Sequence, residues 1–293
     1  MTTDPRLPIL DDETRAFYAA RVPGRGPAGP EELEAVRAAV PAPEPSVPPA
    51  VEATADAEGR RVPVRIHVPS GAPRGVLLDL HGGGFYLGTA AADDVRNQRR
   101  AQLFGWAVVS VDYRLAPEHP WPAAPDDAET AALWLVEHVE ARFGTPRVAM
   151  VGFSAGATLA MTTLLRLRDR GVPIAGGVLQ AGTYDLSGRT PAGRLIADEW
   201  FLEAYAGDAP DRTHPDLSPV FADPSGLPPV LMVVGEHDLL LADNRAMAAR
   251  LSEAGVDVDL RVYPGVPHGF VGHPTPMAAA ALDDIGSWLT DLG

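Results

Sequence analysis

The 293-residue chain contains no cysteine, which excludes disulfide bonds, thiolate metal sites and a cysteine nucleophile. It also lacks any apolar run of the length that a membrane span requires, and residues 1–12 are polar and contain proline. Positive charge is scarce, because 24 Lys and Arg stand against 39 Asp and Glu and give a net charge of −15. We therefore expect a cytoplasmic protein that has no membrane span and binds no nucleic acid.

One proline-rich stretch separates two kinds of pattern. Five of the nine residues 41–49 are proline, which predicts an extended connector. Two short helical patterns precede it, at residues 11–20 and 31–40. After it, apolar runs alternate with segments of helical length, which predicts an open, mostly parallel α/β sheet that binds ligands beyond the carboxyl ends of its strands. The predicted strands are residues 61–68, 76–80, 107–111, 148–151, 178–180, 230–234 and 258–263, and the predicted helices among them include 126–143, 155–170 and 243–254.

Residues 186–219 interrupt the alternation, because they separate two predicted strands by more than an ordinary connection. The segment is rich in Pro, Gly and Asp but contains Trp200, Phe201 and Tyr205. A surface excursion with a small core of its own is one interpretation; we favour a lid over the site, formed together with the N-terminal helices. The predicted division is residues 1–50, cap helices and linker; 51–185, first part of the α/β core; 186–219, cap; and 220–293, second part of the core.

The strongest chemical signal is the pentapeptide Gly152-Phe153-Ser154-Ala155-Gly156, which has the pattern G-x-S-x-G. A predicted strand runs into it and a predicted helix leaves it, which is the context that a nucleophilic serine on a sharp turn requires. A side chain two residues before or after the serine would collide with neighbouring backbone, so both positions are glycine. The N-terminus of the following helix stabilises a developing oxyanion. The pattern predicts a nucleophile at Ser154, against the alternative of an exposed serine in a plain turn.

A second signal, His81-Gly82-Gly83-Gly84, follows the predicted strand 76–80. Consecutive glycines let backbone N–H groups point into a site without obstruction by side chains. Alone, the motif could be an ordinary glycine-rich turn. Together with the serine turn it predicts one part of an oxyanion hole, of which the N–H of Ala155 is the other.

A serine hydroxyl needs a base, and the base needs an acid to orient it. Of the eight histidines, His268 follows the last predicted strand, where a base is expected in the chain order Ser, acid, His; His273 is its competitor. Asp238 follows the predicted strand 230–234 and is the preferred acid. Glu236 and Asp243 are the alternatives.

Taken together, the motifs resemble the hormone-sensitive-lipase-like branch of the α/β-hydrolases, the bacterial family IV esterases. The resemblance runs from about residue 62 to the C-terminus and rests on residues 81–85, 112–124, 152–156, 235–238 and 267–270. Residues 113–120 are specific to this branch, and Arg114 and Glu118 within them are expected to be structural. The resemblance implies the α/β-hydrolase fold, with an eight-stranded, mostly parallel sheet flanked by helices and a small helical cap, and no metal or organic cofactor.

The resemblance also implies roles for single residues. Ser154 is then the nucleophile, His268 the base and Asp238 the orienting acid, and the oxyanion hole consists of the N–H groups of Gly83, Gly84 and Ala155. The residues expected to line the substrate pocket are Phe85, Tyr86, Phe153, Trp200, Phe201 and Tyr205. Two positions depart from the family pattern: Phe153 stands where aspartate is usual, and Asp79 stands where an apolar or aromatic residue is usual.

We therefore expect a serine hydrolase that cleaves carboxylic esters of short to medium acyl length through an acyl-enzyme on Ser154. An amidase, deacetylase or peptidase with the same triad is the alternative, because pocket shape chooses the leaving group. A ligand receptor on this fold would lack the base, and a lyase or cyclase is a further, disfavoured alternative. The family resemblance also favours a homodimer paired through the last strand, residues 258–263, where Asp259 and Arg261 alternate with apolar residues.

Overall fold

A sheet of eight strands runs through the part of the chain that this computed structural model describes, residues 8–21 and 26–292. The strands are β1 (Val51–Ala57), β2 (Arg60–His67), β3 (Val76–Leu80), β4 (Ala107–Val111), β5 (Val148–Phe153), β6 (Gly176–Gln180), β7 (Val230–Gly235) and β8 (Val258–Tyr263). Their order across the sheet is β1-β2-β4-β3-β5-β6-β7-β8. The β1–β2 and β2–β4 pairs are antiparallel and all others are parallel. The predicted eight-stranded, mostly parallel sheet is confirmed.

The hairpin of β1 and β2 forms one edge of the sheet, and β1 is missing from the strands that the sequence predicts. Glu58 and Gly59 connect the two strands with φ of 51° and 77°, the positive values that a two-residue hairpin turn favours. β1 is rich in alanine and largely exposed, so it gives a weak hydrophobic signal. On β2, Val62, Val64 and Ile66 are buried, and the strand ends one residue before the predicted end, because Val68 lies beyond it and is 44% exposed.

Helices cover both faces of the sheet, and every residue of β3, β4, β6 and β7 is buried between them. The helices are α1 (Asp12–Ala19), α2 (Pro30–Ala39), α3 (Asp94–Phe104), α4 (Ala123–Phe143), α5 (Ala155–Asp169), α6 (Trp200–Ala206), α7 (Leu241–Glu253) and α8 (Pro276–Asp291). α4, α5 and α7 pack on one face, and α3 and α8 pack on the other. None of these helices, within the described residues, is long and apolar enough to cross a membrane.

The segment between β6 and β7 leaves the sheet and returns to it at nearly the same place. The backbone N–H of Leu186 donates to Ser218 Oγ at 2.9 Å, so the two ends of the excursion lie together. Between them, α6 lies over the loop that follows β3, and the N–H of Trp121 donates to the carbonyl of Tyr205 at 2.8 Å. We propose that α6 forms the cap together with α1 and α2.

Candidate active site

The turn at Ser154 holds the serine in a strained backbone conformation. Ser154 lies between the end of β5 and the start of α5 with φ 53° and ψ −121°, which residues with a side chain rarely adopt. A Cβ at Gly152 would collide with the carbonyl of Gly156, and a Cβ at Gly156 would collide with the carbonyl of Leu80, the last residue of β3. Both glycines are therefore required, and they bring the ends of β3 and β5 together beneath the serine.

Ser154, His268 and Asp238 form a continuous chain of hydrogen bonds. Ser154 Oγ lies 3.0 Å from His268 Nε2, and His268 Nδ1 lies 2.8 Å from Asp238 Oδ2. The side chain of Asp238 is fully buried, and its other oxygen accepts the backbone N–H of Leu240 at 2.8 Å. A carboxylate beside Nδ1 favours the tautomer with a proton there, which leaves Nε2 free to accept the serine proton.

The alternative acids and base lie elsewhere. Glu236 Oε2 accepts the backbone N–H of Gly265 at 2.9 Å. Asp243 Oδ2 accepts the backbone N–H of Tyr184 at 2.5 Å, at the start of the excursion. The Nδ1 of His273 lies 2.9 Å from the hydroxyl of Tyr18 in α1. Of the candidates for base and acid, the structure brings only His268 and Asp238 together with Ser154.

The loop that follows β3, residues 81–88, is called the glycine loop below. Gly83, Gly84 and Phe85 have φ of 126°, 58° and 65°, and a Cβ at Gly83 would collide with the carbonyl of Leu87. His81 anchors the start of the loop: its ring stacks on Tyr113 at 4.1 Å, and the hydroxyl of Tyr113 donates to its carbonyl at 2.7 Å. Burial lowers the pKa of His81, which favours its neutral form.

Asp79 supports the glycine loop from below. It lies on β3 and is 2% exposed, and its carboxylate accepts hydrogen bonds from Asn97 (2.8 Å), Arg100 (3.1 Å) and Ser110 (2.8 Å). The charge of Asp79 is thus matched by a buried arginine of α3. The sequence signals that an unusual residue stands here, but its partners become visible only in the structure.

The six predicted pocket residues divide into two groups. Phe85 and Tyr205 are fully buried and stack on each other at 3.8 Å, so they pack α6 onto the glycine loop, and their place on a pocket wall stays a prediction. Tyr86 belongs to the same buried group, since it is 3% exposed, and it stacks on Trp200 at 5.6 Å. The other group, Phe153, Trp200 and Phe201, is half-buried. The Cβ of Phe201 lies 3.4 Å from where a Cβ at Gly84 would be, which places α6 against the glycine loop.

The N-terminal helices, predicted to be part of the cap, hold both loops of the site through side chains that the sequence did not single out. Arg37 of α2 donates to the carbonyls of Tyr86 and Ala116, each at 2.8 Å, and pairs with Glu118 at 2.6 Å. Residues 264–275, which carry His268, are called the histidine loop below. This loop contacts α1 through the Tyr18 pair described above. Glu118 is thus structural, as predicted, and Arg37 had no signal beyond its place on a helical pattern.

Arg114 is also structural, as the sequence predicts. Its guanidinium forms a fork with the buried carboxylate of Asp127 in α4, with a shortest distance of 2.8 Å.

The described residues contain no group of three or more His, Asp or Glu side chains that could hold a metal ion.

Comparisons with known proteins agree with this geometry. Residues 77–272 match the family model described as alpha/beta hydrolase fold. Ethyl acetate hydrolase of Pseudomonas putida is 38% identical over 235 residues, which are 73% of this chain and 73% of that protein. Carboxylesterase NlhH of Mycobacterium tuberculosis is 35% identical over 239 residues, 75% of this chain and 74% of that protein. The solved esterase of the archaeon Pyrobaculum calidifontis matches with a TM-score of 0.75 and 34% identity, covering 81% of this chain and 84% of that one.

The fold and these relatives define an enzyme, a serine hydrolase of the carboxylesterase type. The chain belongs to the hormone-sensitive-lipase-like branch of the α/β-hydrolase family, the bacterial family IV carboxylesterases.

Proposed function

We propose that the enzyme hydrolyses carboxylic esters by two successive acyl transfers through Ser154. The observation that carries this assignment is the chain of two hydrogen bonds, 3.0 Å from Ser154 to His268 and 2.8 Å from His268 to Asp238. A nucleophile, a base and an orienting acid within hydrogen-bond reach are the parts that activation of a serine hydroxyl needs.

In the first transfer, His268 Nε2 accepts the proton of Ser154 as Oγ attacks the ester carbonyl carbon. The imidazolium that forms is stabilised by the buried carboxylate of Asp238. The carbonyl oxygen becomes an oxyanion, which accepts hydrogen bonds from the backbone N–H groups of Gly83, Gly84 and Ala155, and each such donor stabilises the transition state by about 3 kcal/mol. His268 then donates its proton to the leaving alcohol as the carbon–oxygen bond breaks, and the acyl group remains on Ser154.

In the second transfer, water attacks the acyl-enzyme while His268 accepts a proton from it. The same N–H groups hold the second oxyanion, and His268 returns the proton to Ser154 Oγ as the carboxylic acid leaves. Apart from the ester and one water molecule, the proposed cycle uses only groups of this chain.

The acyl group that we propose is of short to medium length. One relative is named for the hydrolysis of ethyl acetate. Trp200 stacks on Tyr86 of the glycine loop and Phe201 lies beside Gly84, so α6 lies against the loop that would hold the oxyanion and would limit the room for a long acyl chain.

Turnover of p-nitrophenyl esters from acetate to palmitate, with matching p-nitroanilides, tests the proposal. Ser154→Ala should lower ester kcat by about 10⁶-fold, because triad members act as a unit. Ser252→Ala, at an exposed position of α7, is the matched control and should leave kcat unchanged. Substantial activity in Ser154→Ala would place the nucleophile elsewhere, and anilide turnover equal to ester turnover would favour an amidase.

We also propose a homodimer paired through β8. β8 pairs only with β7 among the described strands, so it forms the second edge of the sheet, and an edge must be paired, covered or charged. Arg261 pairs with Asp259 at 2.8 Å and lies 3.4 Å from Asp284 of α8, so the charge on this edge is already balanced within the chain. Light scattering at micromolar concentration should give twice 30.9 kDa, and a species of 30.9 kDa alone would show a monomer.

A further inference from the structure

The ring of Phe153 lies between the two loops of the site. Its backbone is fixed, because Phe153 pairs with Gln180 of β6 and the next N–H, that of Ser154, donates to the Gln180 carbonyl at 2.8 Å. Since side chains alternate along a strand, Phe153 leaves the sheet on the same face as Val151. On this face its ring reaches the glycine loop on one side and the histidine loop on the other. The ring therefore extends from a rigid point into the gap between the loops.

Both loops present a glycine to the ring of Phe153, which leaves room for it. A Cβ at Gly82 would lie 2.6 Å from Cδ1 of Phe153, and a Cβ at Gly269 would lie 3.2 Å from its Cζ. The centroid of the Phe153 ring lies 5.0 Å from that of His268, with 33° between the ring planes. The side chain of Phe153 thus touches Gly82, which precedes the proposed oxyanion-hole glycines. It also touches His268, the proposed base, and Gly269, which follows it.

His268 needs support of this kind. Its hydrogen bond to Asp238 fixes Nδ1, but Ser154 Oγ leaves Nε2 when it attacks the substrate, and the remaining hydrogen bond lets the imidazole ring tilt about the line from Nδ1 to Asp238 Oδ2. A tilt moves Nε2 away from Ser154 Oγ, which lies 3.0 Å from it. Contact with the ring of Phe153 opposes the tilt on one side. The contact with Gly82 ties the same ring to the loop that would hold the oxyanion.

We infer that Phe153 is a positioning residue, which fixes the imidazole of His268 relative to the oxyanion hole. The inference rests on the proposed function, since it assigns Phe153 a role in that same site. Phe153 acts through His268 and Gly82 and not by contact with the reacting atoms. Because a displacement of about 1 Å can cost about 100-fold in rate, loss of the ring should lower kcat and leave KM nearly unchanged.

The test compares Phe153→Ala and Phe153→Leu on p-nitrophenyl acetate and butyrate. Phe153→Ala should lower kcat about 10- to 100-fold, equally for both esters, with KM changed by less than about twofold. Phe153→Leu should restore part of the loss, because it refills the gap between the loops. Phe104→Ala is the matched control: Phe104 is buried on the same face of the sheet but contacts Gly286 of α8, so its loss should lower the melting temperature and spare kcat.

A second measurement reports on His268 directly. The Nδ1 proton between His268 and Asp238 should give a resolved downfield proton resonance in the wild type, which broadens in Phe153→Ala and stays sharp in Phe104→Ala. An unchanged kcat, or a loss that differs between acetate and butyrate, would overturn the inference, and the second result would make Phe153 a substrate contact. Ser154→Ala distinguishes failure of this inference from failure of the proposed function. If Ser154→Ala abolishes turnover and Phe153→Ala leaves kcat unchanged, only the positioning role of Phe153 is wrong. If Ser154→Ala retains turnover, the proposed function itself is wrong.

Discussion

Arg100 donates to Asp79 at 3.1 Å in a place where both side chains are almost wholly buried, 6% and 3% exposed. The pair joins α3 to β3 directly beneath the glycine loop. A buried ion pair of this kind gains little over two apolar side chains, because both ions lose their water. Loss of one partner alone leaves an unmatched charge in the interior, so the two residues should behave as a unit.

Asp79→Asn should therefore destabilise the fold by about 3 kcal/mol, since it removes the carboxylate that Arg100 hydrogen-bonds and leaves Asp93 as the remaining negative charge acting on the guanidinium. The double variant Asp79→Leu with Arg100→Met removes both charges and should lose less than Asp79→Asn alone. Urea unfolding measures both effects. A double variant that loses the sum of its two single changes would show that the residues are not coupled.

Asp238→Asn should lower kcat by about 10³- to 10⁴-fold, less than Ser154→Ala does. The amide introduced by Asp238→Asn can donate a hydrogen bond to His268 Nδ1, which favours the tautomer with the proton on Nε2. A protonated Nε2 cannot accept the proton of Ser154. Steady-state kinetics on p-nitrophenyl acetate measures the loss. Glu236→Gln is the matched control, because Glu236 binds the backbone of Gly265 and should leave kcat within a fewfold of the wild type. The reverse ranking of the two variants would make Glu236 the acid.

Asp243 should make the fold less stable as the pH rises. Burial raises its pKa to about 6, although the backbone N–H groups of Tyr184 and Asp185 oppose the shift. Because the folded pKa lies above the unfolded value of 3.8, the folded state holds a proton that the unfolded state has lost between about pH 4 and pH 6. The stabilisation of the fold by this bound proton is fully present below pH 3.8 and is lost as the pH rises through 6.

Asp243→Asn isolates this effect, because its amide oxygen can accept the same backbone hydrogen bonds without a charge. Between pH 4 and pH 6.5 the free energy of unfolding of the wild type should fall by on the order of 3 kcal/mol relative to that of Asp243→Asn. Above about pH 6.5 the difference between the two proteins should stay constant. Urea unfolding at half-unit pH steps measures it. A stability difference that does not change with pH would show that Asp243 titrates normally.

Trp200→Ala should change acyl-length preference and not only activity. Trp200 is half-buried and stacks on Tyr86 at 5.6 Å beside the glycine loop, so its removal opens room for a longer acyl chain. We expect kcat/KM for the octanoate to rise about 10-fold relative to the acetate, which corresponds to the gain of one or two buried methylene groups. Trp134→Ala, in α4 away from the site, should leave the ratio unchanged. A uniform change across acyl lengths would mean that Trp200 only holds α6 in place.

The sequence predicted best what depends on local pattern. Buried parallel strands give apolar runs, and the serine turn has a fixed strand, glycine and helix context. Prediction from the sequence failed where the buried face of an element is polar or where an element is largely exposed. α3 buries Asp94, Asn97 and Arg100, so hydrophobic periodicity does not mark it, and the alanines of β1 give no alternation. The stacking of Phe85 on Tyr205 is a tertiary contact, which residue type alone does not predict.

The choice among acids shows the same limit at the site. Glu236 and Asp238 lie two residues apart after β7, and the chain order Ser, acid, His admits both. Only the path of the histidine loop decides between them, because it brings Gly265 to Glu236 and His268 to Asp238. That path depends on contacts of the loop with β7, where a Cβ at Gly235 would collide with the carbonyl of Val266.

The backbone at Ser154 sets durability and catalysis against each other. A side chain held at φ 53° and ψ −121° costs about 1–3 kcal/mol, which glycine would recover. Selection for heat resistance alone would thus favour glycine at this position, which ends catalysis because it removes the hydroxyl. Directed evolution toward a more thermostable enzyme must therefore find stabilising substitutions at other positions. A screen that measures folded protein after heating, without measuring turnover, would enrich inactive variants at position 154.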